Sequence, residues 1–317
     1  MQKSECRMQN QVRRTPRLYS AFCIHHSAFI LLMIFACHAT FADVPATQPI
    51  PNFVRFVEDG HGGGKMQAAM ARYVNEDGVH VELLSTMHIG DASFFRDLAR
   101  QFPKYDAVLY ELVAPRGVPP TEEGVNEQQK MIAQDCDLEN QGPHMSYDRP
   151  NFVHADLTLE EIQKLEVAKH GTFKGALGEG PGIKAATGAA DTAGQQDVFA
   201  DIKAAKAASP AEHIRLMRRA YSRLLAITAE PAPGLTYPAG MEVLVGARND
   251  EVIRVLDRVM GDGDKNIAVF YGAAHMVDLE HRLIDMGFKR ESITWKTTWT
   301  VDPDGTPTTL PTHAPAH

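Results

Sequence analysis

The segment NIAVFYGAAHMVDLEHRL, from Asn266 to Leu283, changes periodicity within a few residues. Ile267 to Tyr271 are five consecutive strand-forming residues; Gly272, two alanines and His275 follow, and a helical pattern begins. A buried strand that runs straight into a helix belongs to a chain that alternates the two. The same layout occurs earlier. LLSTMHIGD (83–91) and FYGAAHMVD (270–278) each close a strand on a small residue, Ser85 or Gly272. Two residues intervene before a histidine, His88 or His275, and three further on comes an aspartate, Asp91 or Asp278. Each aspartate is placed to cap a helix. The histidines are harder to explain as caps. Both fall beyond the C-terminal ends of strands, where ligand crevices of open α/β sheets lie.

The rest of the chain supplies a frame for these two switches. Residues 66–88 read as two strands joined by a turn at NEDG. A helix is expected over about 91–102, with Phe94, Phe95, Leu98 and Phe102 on one face. AVLYELV (107–113) then reads as a buried strand. Strand, helix and strand at this spacing form a βαβ unit, whose strands lie parallel. Thr158 and Glu161 make a capping box, and Ser209, Pro210 and Glu212 open another helix. A later helix, about 250–260, turns Val252, Leu256 and Val259 inward. A strand at 267–271, a helix at about 276–286 and a last strand, SITWKTTWTV, complete one α/β domain over 66–301. Residues 43–65 read as an extended leader and 171–196, rich in Gly and Ala without periodicity, as a mobile insertion. The Pro/Thr-rich tail 302–317 is expected to be disordered.

The first 42 residues have a different character. Five basic residues precede the apolar run AFILLMIFA, and small residues Thr40 and Ala42 stand at the −3 and −1 positions of a cleavage site. The apolar run is too short to span a bilayer. Export with cleavage after Ala42, to the periplasm or the extracellular space, is the expectation. Loss of those five basic residues and of Glu5 leaves 27 basic and 39 acidic residues, a net charge of about −12. Such a balance argues against a nucleic-acid or anionic-lipid surface. Cys136 would be the one remaining cysteine, so no internal disulfide can form. Its neighbours in AQDCDLEN are carboxylates, which oppose thiolate formation.

Two further features point toward the histidines. Glu111 is the one charged residue in AVLYELV, and a buried glutamate is costly unless paired or metal-bound. Arg248 and Asn249, at the head of the late helix, bring a cation and an amide to the same end of the sheet. The chain has no H-E-x-x-H and no G-x-S-x-G, so neither a zincin nor an α/β-hydrolase is offered. The glycines of 171–196 do not make a dinucleotide site, and DGHGGGK (59–65) is not a P-loop.

Taken together, the paired small-x-x-His motifs, the Glu ending the next strand and the Arg-Asn pair resemble the TraB/Tiki (TraB/PrgY/GumN) superfamily, from about 66 to 300. Erythromycin-esterase-like and ChaN-like haem-binding proteins are its distant relations. YGAAHMVDLEHRLIDMGF is the most specific part, while Ser85 stands where the family has glycine. Asp156, in FVHADLT, aligns loosely with a mid-domain acidic position. The resemblance implies a mixed, largely parallel central sheet flanked by helices, with the site built from these residues. It also implies a metal-dependent hydrolase of peptide or protein amide bonds. His88, His275 and Glu111 would bind a divalent Mn, Co or Zn ion, Glu111 doubling as general base. Arg248 and Asn249 would stabilise the oxyanion or orient substrate. Two alternatives remain open: a metal-independent, esterase-like hydrolase, and a non-enzymatic carrier of haem or another small ligand.

Overall fold

The strand-to-helix switch at Gly272 lies in the middle of the sheet. The computed structural model describes residues 53–118, 127–171, 193–229 and 242–303. The expected signal segment, most of the Gly/Ala-rich insertion and nearly all of the tail lie outside the described residues. The elements are β1 (Val54–Glu58), β2 (Gly64–Val74), β3 (His80–Thr86), β4 (Ile89–Gly90), α1 (Ala92–Ala99), β5 (Ala107–Tyr110), α2 (Glu127–Asp135) and β6 (Glu139–Asn140). They continue with β7 (Phe152–His154), α3 (Leu159–His170), α4 (Ala193–Ala205), α5 (Pro210–Ala229), α6 (Arg248–Gly261), β8 (Asn266–Gly272), α7 (Ala273–Asp285) and β9 (Lys289–Val301).

This is an α/β fold with a mixed central sheet flanked by helices. The strand order is β1-β2-β3-β8-β5-β7, with β9 along the other edge of β2. β3, β8, β5 and β7 run parallel, while β1, β2 and β9 add antiparallel pairs. β3 and β5 share a direction, as a βαβ unit requires, but β8 is inserted between them. That insertion makes the two histidine-bearing strands immediate neighbours, with Thr86 opposite Gly272.

Alternation along the central strands divides the core into two layers. Ile267, Val269 and Tyr271 of β8 pack with Val252 and Leu256 of α6 and Leu279 and Leu283 of α7. Ala268 and Phe270 face the other way, toward Phe94, Phe95 and Leu98 of α1 and Tyr221 of α5. Side chains of successive strand residues point to opposite faces, so an unbroken apolar run needs helices on both. Each large apolar side chain buried this way contributes about 1.5–3 kcal/mol.

Local chemistry sets the element ends. Asn75 Oδ1 accepts from Val79 N at 2.9 Å and Gly78 takes φ +71°, which closes the β2–β3 turn. The Thr158–Glu161 capping box forms, and Gly171 ends α3 in the left-handed conformation. Several expectations need correction. β5 stops at Tyr110 instead of running to residue 113, because Leu112 N bonds to the Asp156 carboxylate and leaves the ladder. Part of the leader belongs to the sheet: β1 pairs with β2 and Phe53 is buried. Residues 193–196, read as the end of the insertion, open α4. The last helix begins at Ala273, so His275 lies inside its first turn. Among the described residues no helix is long and apolar enough to cross a membrane.

Candidate functional site

The parallel strands bring His88, Glu111, Asp156 and the start of α7 to one end of the sheet. Glu111 follows β5 directly and its amide bonds to Phe270 O. Asp156 comes two residues after β7, whose His154 pairs with Tyr110. Gly272 lies so close to its neighbours that a Cβ there would stand 3.1 Å from Glu111 Oε2 and 3.3 Å from His88 Nε2. Its φ is −59°, so close approach, and not a left-handed backbone, is what calls for glycine. Its amide donates to Glu111 Oε2 at 2.7 Å.

Arg248, the first residue of α6, is the centre of the cluster. Its Nε and Nη2 donate to Asp156 Oδ1 and Oδ2 at 2.9 and 2.7 Å. Nη2 also donates to Glu111 Oε1 at 2.7 Å, and Nη1 reaches Leu244 O and His275 Nε2, both at 3.3 Å. A guanidinium has five N–H donors, and these contacts use all of them. Arg248 therefore fixes the two carboxylates and has nothing left for an oxyanion. Asp156 is fully buried and also accepts from Leu112 N and Leu157 N, which completes the anchor.

Asn249 is saturated as well. Its Nδ2 donates to His275 O at 3.2 Å and to Asp278 Oδ2 at 2.7 Å. Both partners are acceptors, so the amide orientation is determined and Oδ1 must be the atom 2.7 Å from His275 Nδ1. His275 consequently carries its proton on Nδ1 and turns the Nε2 lone pair toward Arg248. Asn249 is fully buried, and its amide holds His275 in place.

The look-alike motifs thus place their histidines differently. The His88 side chain is 37% exposed and that of His275 only 6%. The two Nε2 atoms lie 3.7 Å from Glu111 Oε2 and Oε1 respectively, beyond direct hydrogen bonding. The aspartates differ from expectation too. Asp91 sits at the N-cap of α1 without a side-chain cap bond, 3.4 Å from Arg218. Asp278 lies inside α7, where Asn249 and Arg282 hold its carboxylate.

Electrostatics sort the roles further. Burial pulls the Glu111 carboxyl upward, but Arg248, the two histidines and the Gly272 amide outweigh it and hold it well below the usual carboxylate range. Burial, with Arg248 adding to it against the pull of Glu111, pushes His275 down to about 3. Around neutral pH the site contains an ionised Glu111 and a neutral His275.

The donors His88, Glu111 and His275 are of the right type for a divalent ion. Their arrangement is another matter. The Arg248 guanidinium already bonds Glu111 Oε1 and faces His275 Nε2, the side where a cation on those donors would sit. Among the described residues no group of three such side chains is arranged to hold a metal ion. A divalent ion on this set requires Arg248 to release both partners.

Comparison with protein-family models, curated proteins and solved structures finds no match. Function must be argued from the site. Asp156 gave little signal in the sequence, where it stood only as a loose alignment with a mid-domain acidic position of the family that the chain resembles.

Proposed function

We propose that the chain is an exported hydrolase of amide or ester bonds in peptides, working through His88 without a resident metal. The observation that carries this reading is the asymmetry of the imidazoles. His275 is buried with its lone pair directed at Arg248, whereas His88 faces solvent beside an ionised carboxylate. Imidazole is the commonest general base near neutral pH. In the proposed reaction His88 takes a proton from a water as its oxygen attacks the carbonyl carbon. Glu111 stabilises the imidazolium that forms, and that proton passes to the leaving amine or alkoxide, giving acid and amine or alcohol. The first N–H groups of α7 have no intrahelical acceptors and open beside His88, where they suit the developing oxyanion. Arg248, Asp156 and Asn249 hold the geometry. The sequence resemblance to TraB/Tiki proteins supports amide-bond hydrolysis but, in implying a metal, favours the second reading below on that point, and the signal-like residues 1–42 support export.

A second reading is metal-dependent hydrolysis, favoured by the convergence of both Nε2 atoms on Glu111 at 3.7 Å. A haem carrier is less well supported, since axial ligands approach a macrocycle from opposite sides and these imidazoles face one carboxylate.

The test is turnover of peptide anilides and aryl esters by the purified chain beside His88→Ala. The expected loss in kcat is about 100- to 10,000-fold, with the fold intact because His88 is half-exposed. Wild-type turnover in His88→Ala would contradict the proposal.

A further inference from the structure

Both side chains expected from the sequence to stabilise an oxyanion, Arg248 and Asn249, have spent their donors inside the protein. One side-chain donor beside the crevice has not. Gln141 follows β6, which pairs with β4, and its amide donates to His88 O at 2.9 Å. Its Oε1 accepts from Thr86 Oγ1 at 2.8 Å, and its Nε2 donates to the Tyr147 hydroxyl at 2.9 Å. With the Gln141 amide in this orientation the phenolic oxygen is the acceptor, so the Tyr147 proton points elsewhere, and the hydroxyl makes no other hydrogen bond among the described residues. The ring is held too. Its centroid lies 5.1 Å from that of Tyr110, the residue before Glu111, and 5.9 Å from that of Phe152. Burial pushes the phenol up to about 12, with Gln141 opposing and the Glu111 charge adding, so the group stays protonated and lies within the field of the site.

We propose that Tyr147 donates its hydroxyl hydrogen bond to the carbonyl oxygen of the scissile bond and, with the N-terminus of α7, holds the oxyanion of the tetrahedral intermediate. The assignment rests on the hydrolase reading above. Gln141 is the positioning residue: it ties the phenol to the backbone of His88, so base and oxyanion donor move as one unit.

Tyr147→Phe keeps the ring and removes the hydroxyl, which takes away the donor and also the acceptor of the Gln141 bond. The measurements are kcat and KM on a peptide substrate and affinity for a peptidyl phosphonate, whose tetrahedral anion imitates the intermediate. Loss of one oxyanion donor lowers kcat by on the order of 100-fold. Phosphonate affinity should fall by the same factor, and KM should stay within about twofold. A kcat within about threefold of wild type overturns the proposal, and so does a kcat loss without matching loss of phosphonate affinity. His88→Ala separates the two levels. Inactive His88→Ala beside unchanged Tyr147→Phe removes the role of Tyr147 alone. Unchanged His88→Ala, or wild type that neither turns over nor binds phosphonate, removes the hydrolase reading and this proposal with it.

Discussion

Replacing Asn249 with alanine removes three hydrogen bonds at once and tests the protonation state derived for His275. The lost bonds are those to His275 O, Asp278 Oδ2 and His275 Nδ1, at 3.2, 2.7 and 2.7 Å. A neutral bond contributes about 0.5–1.5 kcal/mol net and one to a charged group about 1.5–3 kcal/mol. Together they amount to about 3–6 kcal/mol, a large part of the 5–15 kcal/mol typical of a domain. Asn249→Ala should therefore melt about 10–20 °C lower. The direct assay is a proton–nitrogen NMR titration of wild type. His275 should show the Nδ1–H tautomer and stay neutral down to about pH 4, consistent with its shift to about 3. The folded pKa lies below the unfolded one, so the unfolded chain binds the extra proton first. Stability from this group is present above about pH 6.5 and is lost as pH falls toward the folded value. An Nε2–H tautomer, titration near pH 6.5, or a melting temperature unmoved by Asn249→Ala would refute the reasoning.

Gly272→Ala sets a methyl 3.1 Å from Glu111 Oε2 and 3.3 Å from His88 Nε2, so kcat/KM should fall about tenfold or more with little change in melting temperature. Unaltered kinetics would show that those two side chains are not needed where they stand. Asp156→Asn strips Arg248 of its bidentate partner and should cost on the order of 3 kcal/mol in urea unfolding; a difference under about 0.5 kcal/mol would contradict the anchor role. Cys136 is fully buried, and burial, with Asp135 adding, pushes its thiol up. Protein lacking residues 1–42, and with them Cys6, Cys23 and Cys37, should leave an aromatic disulfide reagent unreacted at pH 8 when native and react at once when unfolded in guanidinium. Rapid labelling of native Cys136 would show that its packing is wrong.

Much of the frame was legible because it is local. The apolar run before Gly272, the Phe94–Phe95–Leu98 face and the Thr158–Glu161 cap each depend on residues within a turn or a strand. Glu111 was legible for the opposite reason, as a carboxylate that an apolar run does not explain. What escaped is set by partners far along the chain. The placing of β8 between β3 and β5 is a property of the assembled sheet. Arg248 and Asn249 read as free functional groups because the acceptors that consume their donors come from Asp156, Glu111 and α7. The matching spacing of the two histidine motifs likewise hid their different burial, since the bond that fixes the His275 tautomer comes from Asn249 on another helix.

The central claim is that His88, held beside an ionised Glu111 closed off by Arg248, is the base of a hydrolytic site that needs no metal. The most direct test is single-turnover peptide hydrolysis by protein whose metal content has been measured before and after chelation, wild type beside His88→Gln. The account predicts that wild type stripped of Mn, Co and Zn keeps its rate and that His88→Gln loses on the order of 1,000-fold. A rate that disappears with the metal and returns when one equivalent is restored would contradict it.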